Sequence, residues 1–394
     1  MVRHARALMF VFIAAAALVA GAEPLNVVDF GAKADGKTDC TEAFRKAIDA
    51  LGARGGRVDV PAGEYVVGEI RLKPGVTLQG APGYSFRRTN AGTTLKLRKD
   101  ATSRALVDFT GAYGATIRDL ALVGDMDFVN DITQSDSVKA GSGRVVHGVA
   151  LLKDSYGTEE DYPLVDHCNI RGFSGDGIHF RKIWCGNVRN ALIGANGGDG
   201  ICIEGWDVFI TNNEIFGNAG YGIHGVPPNN AGTITANRVE WNRRGGLFLD
   251  EGSHYCINAN YFDRSGTAGV IFEKARFITF TGNQLYRSGK PEWARPERPY
   301  SAHAVLRNCS GVTFSSNSLV LGRDDDGKGV WSPKTGLVLE NLTECTVVGN
   351  SGSASVTEKF IDDRGGHRDS VIRDNAGSAL KSLDQVTIPL PDHE

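Results

Sequence analysis

Acidic side chains recur at matching places in successive sequence repeats in the middle of this chain. Asp176 and Asp199 each stand immediately before a glycine, and Asp250 and Glu273 each end a run of mainly apolar residues. If the repeats stack as strands, equivalent side chains lie roughly 4.8 Å apart at the backbone. Two carboxyls that close raise the pKa of one of them, which gives a protonated acid beside an ionised one.

Such an acid pair is what glycoside cleavage requires, at ~5 Å for retention and ~6.5–9.5 Å for inversion. Glu204 and Asp250, which lie two repeats apart, approach the wider separation. The candidate catalytic residues are Asp176, Asp199, Glu204 and Asp250. The candidate substrate-binding residues on the same surface are His179, Arg181, Lys182, His224 and Glu273.

A lyase would use other residues of this surface. A base would remove the proton beside a uronate carboxyl, and Ca²⁺ or an arginine would neutralise that carboxyl. Arg181, Lys182 and Lys274 suit this task, and Asp176 and Asp199 could hold the ion. Two or three acids make a sparse Ca²⁺ site. The sequence therefore predicts no dedicated metal site, and Ca²⁺ enters only with a lyase mechanism.

Regularly spaced asparagines indicate which elements position these side chains. They are Asn190, Asn213, Asn237, Asn260, Asn283, Asn317 and Asn350, with Asn169 before the series and Asn375 after it. The first steps are about 23 residues, a period typical of one supersecondary unit stacked on itself. Stacked amides can form a hydrogen-bonded ladder inside sharp turns, where asparagine tolerates a left-handed backbone.

Apolar and polar residues alternate within each repeat, which indicates short strands with one buried face. Three strands and three turns per repeat predict an all-β fold, a parallel β-helix solenoid. Leucine-rich and ankyrin repeats are excluded, because a leucine-dense consensus and long helical windows are absent. Residues 39–52 have an amphipathic helix pattern, and we expect this helix to cap the open end of the solenoid.

Residues 1–22 have the pattern of an export signal, with a basic start, an apolar run and small residues before Glu23. We therefore expect a secreted or periplasmic protein with one β-helix domain over 23–380 and a tail over 381–394. The apolar run is too short for a comfortable membrane span. A net charge of −3 gives no reason to expect a nucleic-acid partner. Seven cysteines leave at least one thiol unpaired.

The N-terminal block resembles the pectate lyase superfamily, in the branch of rhamnogalacturonase and epimerase-like proteins. The resemblance rests on Asn26-Val-Val-Asp-Phe-Gly-Ala, Asp35-Gly-Lys-Thr-Asp39 and Val60-Pro61-Ala-Gly-Glu-Tyr65, and the repeats extend it over most of 25–375. It implies a right-handed parallel β-helix that handles carbohydrate. The chain lacks the Gly-His-Gly and Arg-Ile-Lys motifs of polygalacturonases and the Asp-Pro-His-Asp motif of alginate epimerases. The resemblance therefore does not indicate which reaction is catalysed.

A weaker resemblance, over the middle repeats and residues 329–339, is to the inulin fructotransferases, which are trimeric β-helices. It implies that the catalytic aspartate falls on Asp207, which joins the substrate-binding candidates. Asn218 occupies the position of the partner glutamate and is not an acid. Glycine-rich edges and a flat second face permit a homotrimer but do not require one.

Together these patterns predict a secreted enzyme that cleaves glycosidic bonds of a polysaccharide or oligosaccharide as a lyase or a hydrolase. Two alternatives stay open. One is a non-catalytic glycan-binding solenoid, and the other is a fructotransferase-like glycan enzyme.

Overall fold

The computed structural model of the chain describes residues 23–83, 92–126, 144–290, 299–320 and 333–379. Within these ranges the backbone winds into stacked coils, and each strand pairs in parallel with its equivalent in the next coil. Ile178 pairs with Ile201, for example, and Ile201 with Ile223. The strands form one 22-stranded and one 13-stranded sheet. The predicted parallel β-helix is therefore confirmed.

The strands divide into an N-terminal, a middle and a C-terminal group. The N-terminal strands are β1 (Leu25–Asn26), β2 (Asp35–Asp39), β3 (Gly56–Asp59), β4 (Gly63–Val67), β5 (Ile70–Arg71), β6 (Val76–Gln79), β7 (Thr93–Leu97), β8 (Ala105–Asp108), β9 (Thr116–Arg118) and β10 (Leu120–Val123). The middle strands are β11 (His147–Leu152), β12 (Leu164–Asp166), β13 (Asn169–Arg171), β14 (Ile178–Arg189), β15 (Leu192–Gly194), β16 (Ile201–Thr211), β17 (Glu214–Phe216), β18 (Tyr221–Asn230), β19 (Thr233–Thr235) and β20 (Arg238–Glu240). The C-terminal strands are β21 (Gly245–Asp250), β22 (Cys256–Asn258), β23 (Tyr261–Asp263), β24 (Ala268–Glu273), β25 (Thr279–Thr281), β26 (Gln284–Tyr286), β27 (Ala302–Arg307), β28 (Thr313–Ser315), β29 (Ser318–Val320), β30 (Thr335–Glu340), β31 (Thr346–Val348), β32 (Ser351–Val356), β33 (Lys359–Asp363), β34 (Val371–Arg373) and β35 (Ala376–Ala379).

The interior of the coil holds the inward residues of every strand, as the alternation predicts. In β21, Leu247 and Leu249 are buried, whereas Phe248 and Asp250 on the other face are half-buried. Aromatic rings also stack from coil to coil, and Phe280 lies parallel to Phe314 with 4.7 Å between ring centroids. Burying each such side chain contributes roughly 1.5–3 kcal/mol.

An asparagine ladder runs along one turn of the coils. Its members are Asn213, Asn237, Asn260, Asn283, Asn317, Asn350 and Asn375, and each Nδ2 donates to the next Oδ1 at 2.8–3.2 Å. The prediction is wrong for Asn190 and Asn169. Each lies one residue away from the ladder position of its coil. The preceding coils reach the ladder position with Ala191 and Cys168, and Asn190 instead bonds to Asp166.

A second ladder, which the spacing analysis did not identify, follows a different turn. Asn196 donates to Asn218 at 2.9 Å, and Asn218 donates to Asn242 at 2.8 Å. All three are fully buried. Ser265 and Ser288 continue the row in the next coils. Because the members change from amide to hydroxyl, this row gives a weaker periodic signal.

Helix α1 (Thr41–Ala50) covers the N-terminal end of the coil, as predicted for 39–52. Phe44 and Ile48 are buried, and the Phe44 ring meets Tyr65 edge-on at 5.8 Å. Two short 3₁₀ helices, Val27–Phe30 and Gly52–Arg54, flank α1.

The cysteines are free thiols, and of the seven only Cys256 is exposed. No helix in the described ranges is long and apolar enough to cross a membrane. The predicted export signal (1–22) and the tail (381–394) lie outside the described residues.

Candidate active site

One outward face of the larger sheet carries a row of side chains that we call the central column. Its members pair in register from coil to coil: Ala150, His179, Cys202, His224, Phe248, Ile271, Val305 and Val338. Beside it, Asp176 and Asp199 stand just before the strands that carry His179 and Cys202. This arrangement brings four of the predicted site residues together: Asp176, His179, Asp199 and His224.

Asp176 and His179 form the first of two aspartate–histidine pairs. His179 Nδ1 lies 2.6 Å from Asp176 Oδ2. The other carboxylate oxygen of Asp176 accepts the backbone N–H of Asp199 at 2.6 Å. The Asp176 side chain is only 13% exposed, whereas His179 retains 25% exposure. The carboxylate is therefore held in place below an imidazole that reaches the surface.

Asp199 and His224 form the second pair, which differs from the first because Asp199 contacts a histidine of the next coil rather than of its own coil. His224 Nδ1 lies 2.7 Å from Asp199 Oδ2. Asp199 Oδ1 accepts the backbone N–H of Tyr221 at 2.6 Å. Cys202 separates the two imidazoles in the central column, so their strands are roughly 9.6 Å apart. We call these two pairs the dyads.

The dyads fix which ring nitrogen of each histidine can react. An ionised carboxylate only accepts hydrogen bonds, so Nδ1 of each imidazole carries the proton and donates it. Nε2 is then left with a lone pair on the side of the ring away from the carboxylate. A neutral imidazole in this tautomer is a general base, and after taking a proton it is a general acid.

The carboxylate of Asp176 is an ionised acceptor rather than a protonated acid. Burial pushes the pKa of Asp176 upward, but the His179 hydrogen bond, the nearby imidazoles and the Asp199 N–H together hold it below its ordinary value. The predicted rise in pKa from stacking Asp176 on Asp199 is therefore wrong for Asp176. The reason is that N–H donors surround this carboxylate, which sequence spacing cannot reveal.

His147 lies beside the first dyad and was not among the predicted site residues. Its Nδ1 accepts the backbone N–H of Asp176 at 2.9 Å, and its ring lies 4.5 Å from that of His179. Burial lowers the pKa of His147 to about 4, so the ring is neutral. Its position before Gly148 matches that of Asp176 before Gly177, which was the available signal.

Arg181 and Lys182 fasten the segment after β11 onto this face. Arg181 donates to the Asp154 carboxylate at 2.8 Å and to the Lys153 carbonyl at 3.0 Å, and Lys182 donates to the Asp154 carbonyl at 2.5 Å. Lys153 in turn pairs with Asp161 at 2.6 Å. Both predicted binding cations thus follow His179 in strand β14, with N–H groups left to donate.

Glu204 and an aromatic pair lie next to these cations. The Tyr156 ring stacks on Trp206 with 4.1 Å between centroids. Burial raises the pKa of Tyr156, and the nearby Glu204 charge raises it further. Glu204 is half-buried and has no hydrogen bond or ion pair with any described residue. Tyr156 could not be predicted from the repeats because it belongs to a non-repeating segment.

Asp207, Asp250 and Glu273 lie away from the dyads. Asp207 accepts the indole N–H of Trp184 at 3.0 Å. Asp250 pairs in register with Glu273, as predicted, but on the coils beyond His224. Glu273 accepts a hydrogen bond from the Asn308 side chain at 2.8 Å and lies 3.5 Å from Arg307. The structure therefore does not bring these three acids together with Asp176 and Asp199.

Two groups of side chains offer three metal-ligand atoms each within 4.8 Å: His147, Asp176 and His179, and Asp199, Cys202 and His224. The aspartate–histidine separations of 2.6 and 2.7 Å are those of hydrogen bonds. Burial also raises the pKa of the Cys202 thiol, which disfavours a thiolate ligand. Ca²⁺ prefers oxygen ligands, whereas both carboxylates here are engaged by N–H donors. The dyads therefore fit proton transfer better than Ca²⁺ binding.

Asn218, the counterpart of the fructotransferase glutamate, is fully buried in the second asparagine ladder. Its side chain has a structural role there and is not available to a substrate.

Two family models match the sequence. Residues 25–247 match the rhamnogalacturonase A/epimerase, pectate lyase-like family, and residues 225–387 match the right handed beta helix region. The predicted right-handed coil is therefore confirmed.

The chain is also similar to curated proteins. It is 27% identical over 325 residues to the putative phage-related protein YobO of Bacillus subtilis (strain 168), covering 75% of this chain and 36% of YobO. It is 29% identical over 281 residues to mannuronan C5-epimerase AlgE5 of Azotobacter vinelandii, covering 64% of this chain and 26% of AlgE5. The chain thus spans only about a third of the length of these relatives, or less.

Among solved structures, the A-module of mannuronan C-5 epimerase AlgE4 from Azotobacter vinelandii superposes with a TM-score of 0.58. The match covers 90% of this chain and 100% of the module at 21% identity. At this identity the likeness concerns the fold alone.

Proposed function

Because the chain belongs to the rhamnogalacturonase A/epimerase, pectate lyase-like family, we propose that it is a glycan-acting enzyme in which His179 and His224 transfer protons. The observation that carries this proposal is the pair of dyads on one outward face. Each dyad has a buried carboxylate on Nδ1 and a free Nε2 directed away from it. In this assignment Asp176 and Asp199 are positioning residues.

The reaction that best suits the dyads is proton abstraction from a sugar carbon next to a uronate carboxyl, as in a lyase or an epimerase. Such a carbon acid needs a base near neutral pH, and an imidazole supplies one. It also needs donors to the substrate carboxyl. Arg181 has five N–H groups and Lys182 has three, and their contacts to the 153–154 segment use only part of them. Two histidines two coils apart could serve opposite faces of the sugar.

Glycoside hydrolysis is the second candidate, and Glu204 favours it. This carboxylate is unpaired among the described residues, and its charge adds to burial in raising the pKa of the neighbouring Tyr156. A hydrolase would need a second carboxyl across the bond. Asp250 is the remaining acid among the candidate catalytic residues, so the hydrolytic pair would be Glu204 and Asp250.

Turnover on a glycan panel tests these alternatives. The full chain is incubated with alginate, polygalacturonate, pectin and inulin. Unsaturated products that absorb in the ultraviolet indicate a lyase, and a changed uronate composition without cleavage indicates an epimerase. New reducing ends alone indicate a hydrolase, and oligosaccharides of fructose from inulin indicate fructotransfer. We expect His179→Ala and His224→Ala to lose at least about a hundredfold in rate.

His254→Ala is the matched control, since His254 is exposed and packs on Phe277 outside the dyads. Glycan binding without turnover, equal in all three variants, would support a non-catalytic binding solenoid instead. Full activity of His179→Ala and His224→Ala together would rule out the dyad assignment.

We further propose that the protein is exported after cleavage before Glu23. N-terminal sequencing of the extracellular or periplasmic protein tests this, and light scattering on the same sample measures whether it is a homotrimer.

A further inference from the structure

The central column consists only of apolar residues after His224. Its next members are Phe248, Ile271, Val305 and Val338, although they continue the same outward face. Ile271, Val305 and Val338 are 7%, 0% and 2% exposed. Ala150 and Cys202 of the same column are also little exposed, at 0% and 6%, but they are small side chains, whereas the larger Ile271, Val305 and Val338 pack in one cluster with Tyr221 and Tyr300. They form a hydrophobic cluster separate from the interior of the coil.

Tyr300 is one described residue that covers this cluster. It is 7% exposed and packs with Ala268, Ala302 and Val305. Arg307 donates a hydrogen bond to the Tyr300 hydroxyl, and Arg307 also lies 3.1 Å from Glu340. The cover is therefore fixed to the strands below it by charged groups.

The covered cluster directly adjoins the second dyad. The Phe248 ring stacks on the His224 ring at 5.1 Å with 16° between the planes. Tyr221 lies 4.9 Å from His224 and 5.0 Å from Phe248. His224 thus has the Phe248 ring on its C-terminal side and the Tyr221 ring of its own strand beside it, and both rings join the cluster that includes Tyr300.

A cleft of about 420 Å³ lies toward the N-terminal side and is lined by Arg71, Arg98, Arg104 and Glu69. Arg71 pairs with Glu69 and Arg98 with Asp100, each at 2.7 Å. Arg104 lies close enough to His147 to contribute to the lowered pKa of that ring. A glycan chain therefore has room on the N-terminal side of the dyads, where Arg104 supplies a positive charge.

We propose that this face is a groove closed at one end, so that the enzyme acts at a chain end of its glycan rather than at internal positions. The terminal sugar would rest against Tyr221 and Phe248 beside His224, and the rest of the chain would leave toward Arg104. This inference rests on the proposed function, because it assigns the mode of action of the same site.

Position mapping tests the closed end. Mannuronan and polygalacturonate oligosaccharides of four to eight sugars are labelled at one end, and early products are mapped by mass spectrometry and NMR. We expect the first altered residue or bond to lie at a fixed distance from one end at every length. Early products spread along the whole chain would overturn the inference.

A binding experiment tests the closed groove independently of the proposed catalytic function. The His179→Ala/His224→Ala double variant is titrated with hexasaccharides that carry a bulky cap at either end. A cap at the end facing Phe248 should weaken binding at least about tenfold, and a cap at the other end should not. Equal affinity for both capped forms would contradict a closed groove, whether or not the enzyme turns over. Tyr300→Ala should reduce the difference between the two caps.

Discussion

Replacing Asp176 by asparagine tests how the first dyad works. The carboxylate accepts two hydrogen bonds, both at 2.6 Å, from His179 and from the Asp199 backbone. Asparagine can still accept the backbone N–H through Oδ1, but it then turns its NH₂ group toward His179 Nδ1. Two N–H donors cannot bond to each other, so the imidazole must move its proton to Nε2. The ring then has no lone pair facing the substrate.

The expected loss follows from this change of tautomer. General base catalysis contributes about 10²–10⁴-fold to rate, and we expect kcat of Asp176→Asn to fall by that factor. KM should change by less than about threefold, because Asp176 is buried behind His179 and does not reach the substrate. The assay compares kcat and KM on whichever panel glycan is turned over, with Asp369→Asn on the exposed surface as control. A kcat within about threefold of wild type in a folded Asp176→Asn protein would refute the dyad mechanism.

Three further predictions concern stability and ions. Asn260→Ala removes buried hydrogen bonds to Asn283 and to the Ile234 carbonyl. Urea titrations should show a free energy of unfolding that is lower by about 2–5 kcal/mol. Asn190→Ala, outside the ladder, should lower it by less than about 1 kcal/mol. Burial lowers the pKa of both His147 and His303 to about 4. In the unfolded chain these imidazoles take up protons near pH 6.5, but in the folded chain only near pH 4, so the free energy of unfolding should fall as the pH drops from 6.5 to 4. His147→Gln should make this pH dependence less steep. Dialysis against EDTA should leave activity within about twofold, since both dyad carboxylates are engaged by N–H donors, and a complete loss that only Ca²⁺ restores would contradict this.

The fold could be predicted largely from local patterns. Alternation identified the buried faces, and the helix pattern over 39–52 identified the cap, because both depend on neighbours close in sequence. The asparagine period gave the coil length but misassigned Asn169 and Asn190 by one residue. A period cannot fix register to the residue, since turns of neighbouring coils differ in length.

The site was only partly predictable. Counting from each glycine correctly put His179 and His224 on one outward face with Asp176 and Asp199. The roles could not be derived, because they depend on the hydrogen bonds that the two carboxylates accept, two of which are donated by backbone N–H groups of the next coil. Tyr156 and Lys153 come from a non-repeating segment that folds over the face, and no period could indicate them.

The tautomers of His179 and His224 test the central claim most directly, and they require no substrate. Long-range ¹H–¹⁵N NMR of the histidine rings of the full chain, near pH 7.5, distinguishes a protonated Nδ1 from a protonated Nε2. We predict that both rings carry the proton on Nδ1 and that Asp176→Asn moves it to Nε2 in His179 alone. Protonated Nε2 in both rings of the wild-type protein would contradict the proposed mechanism.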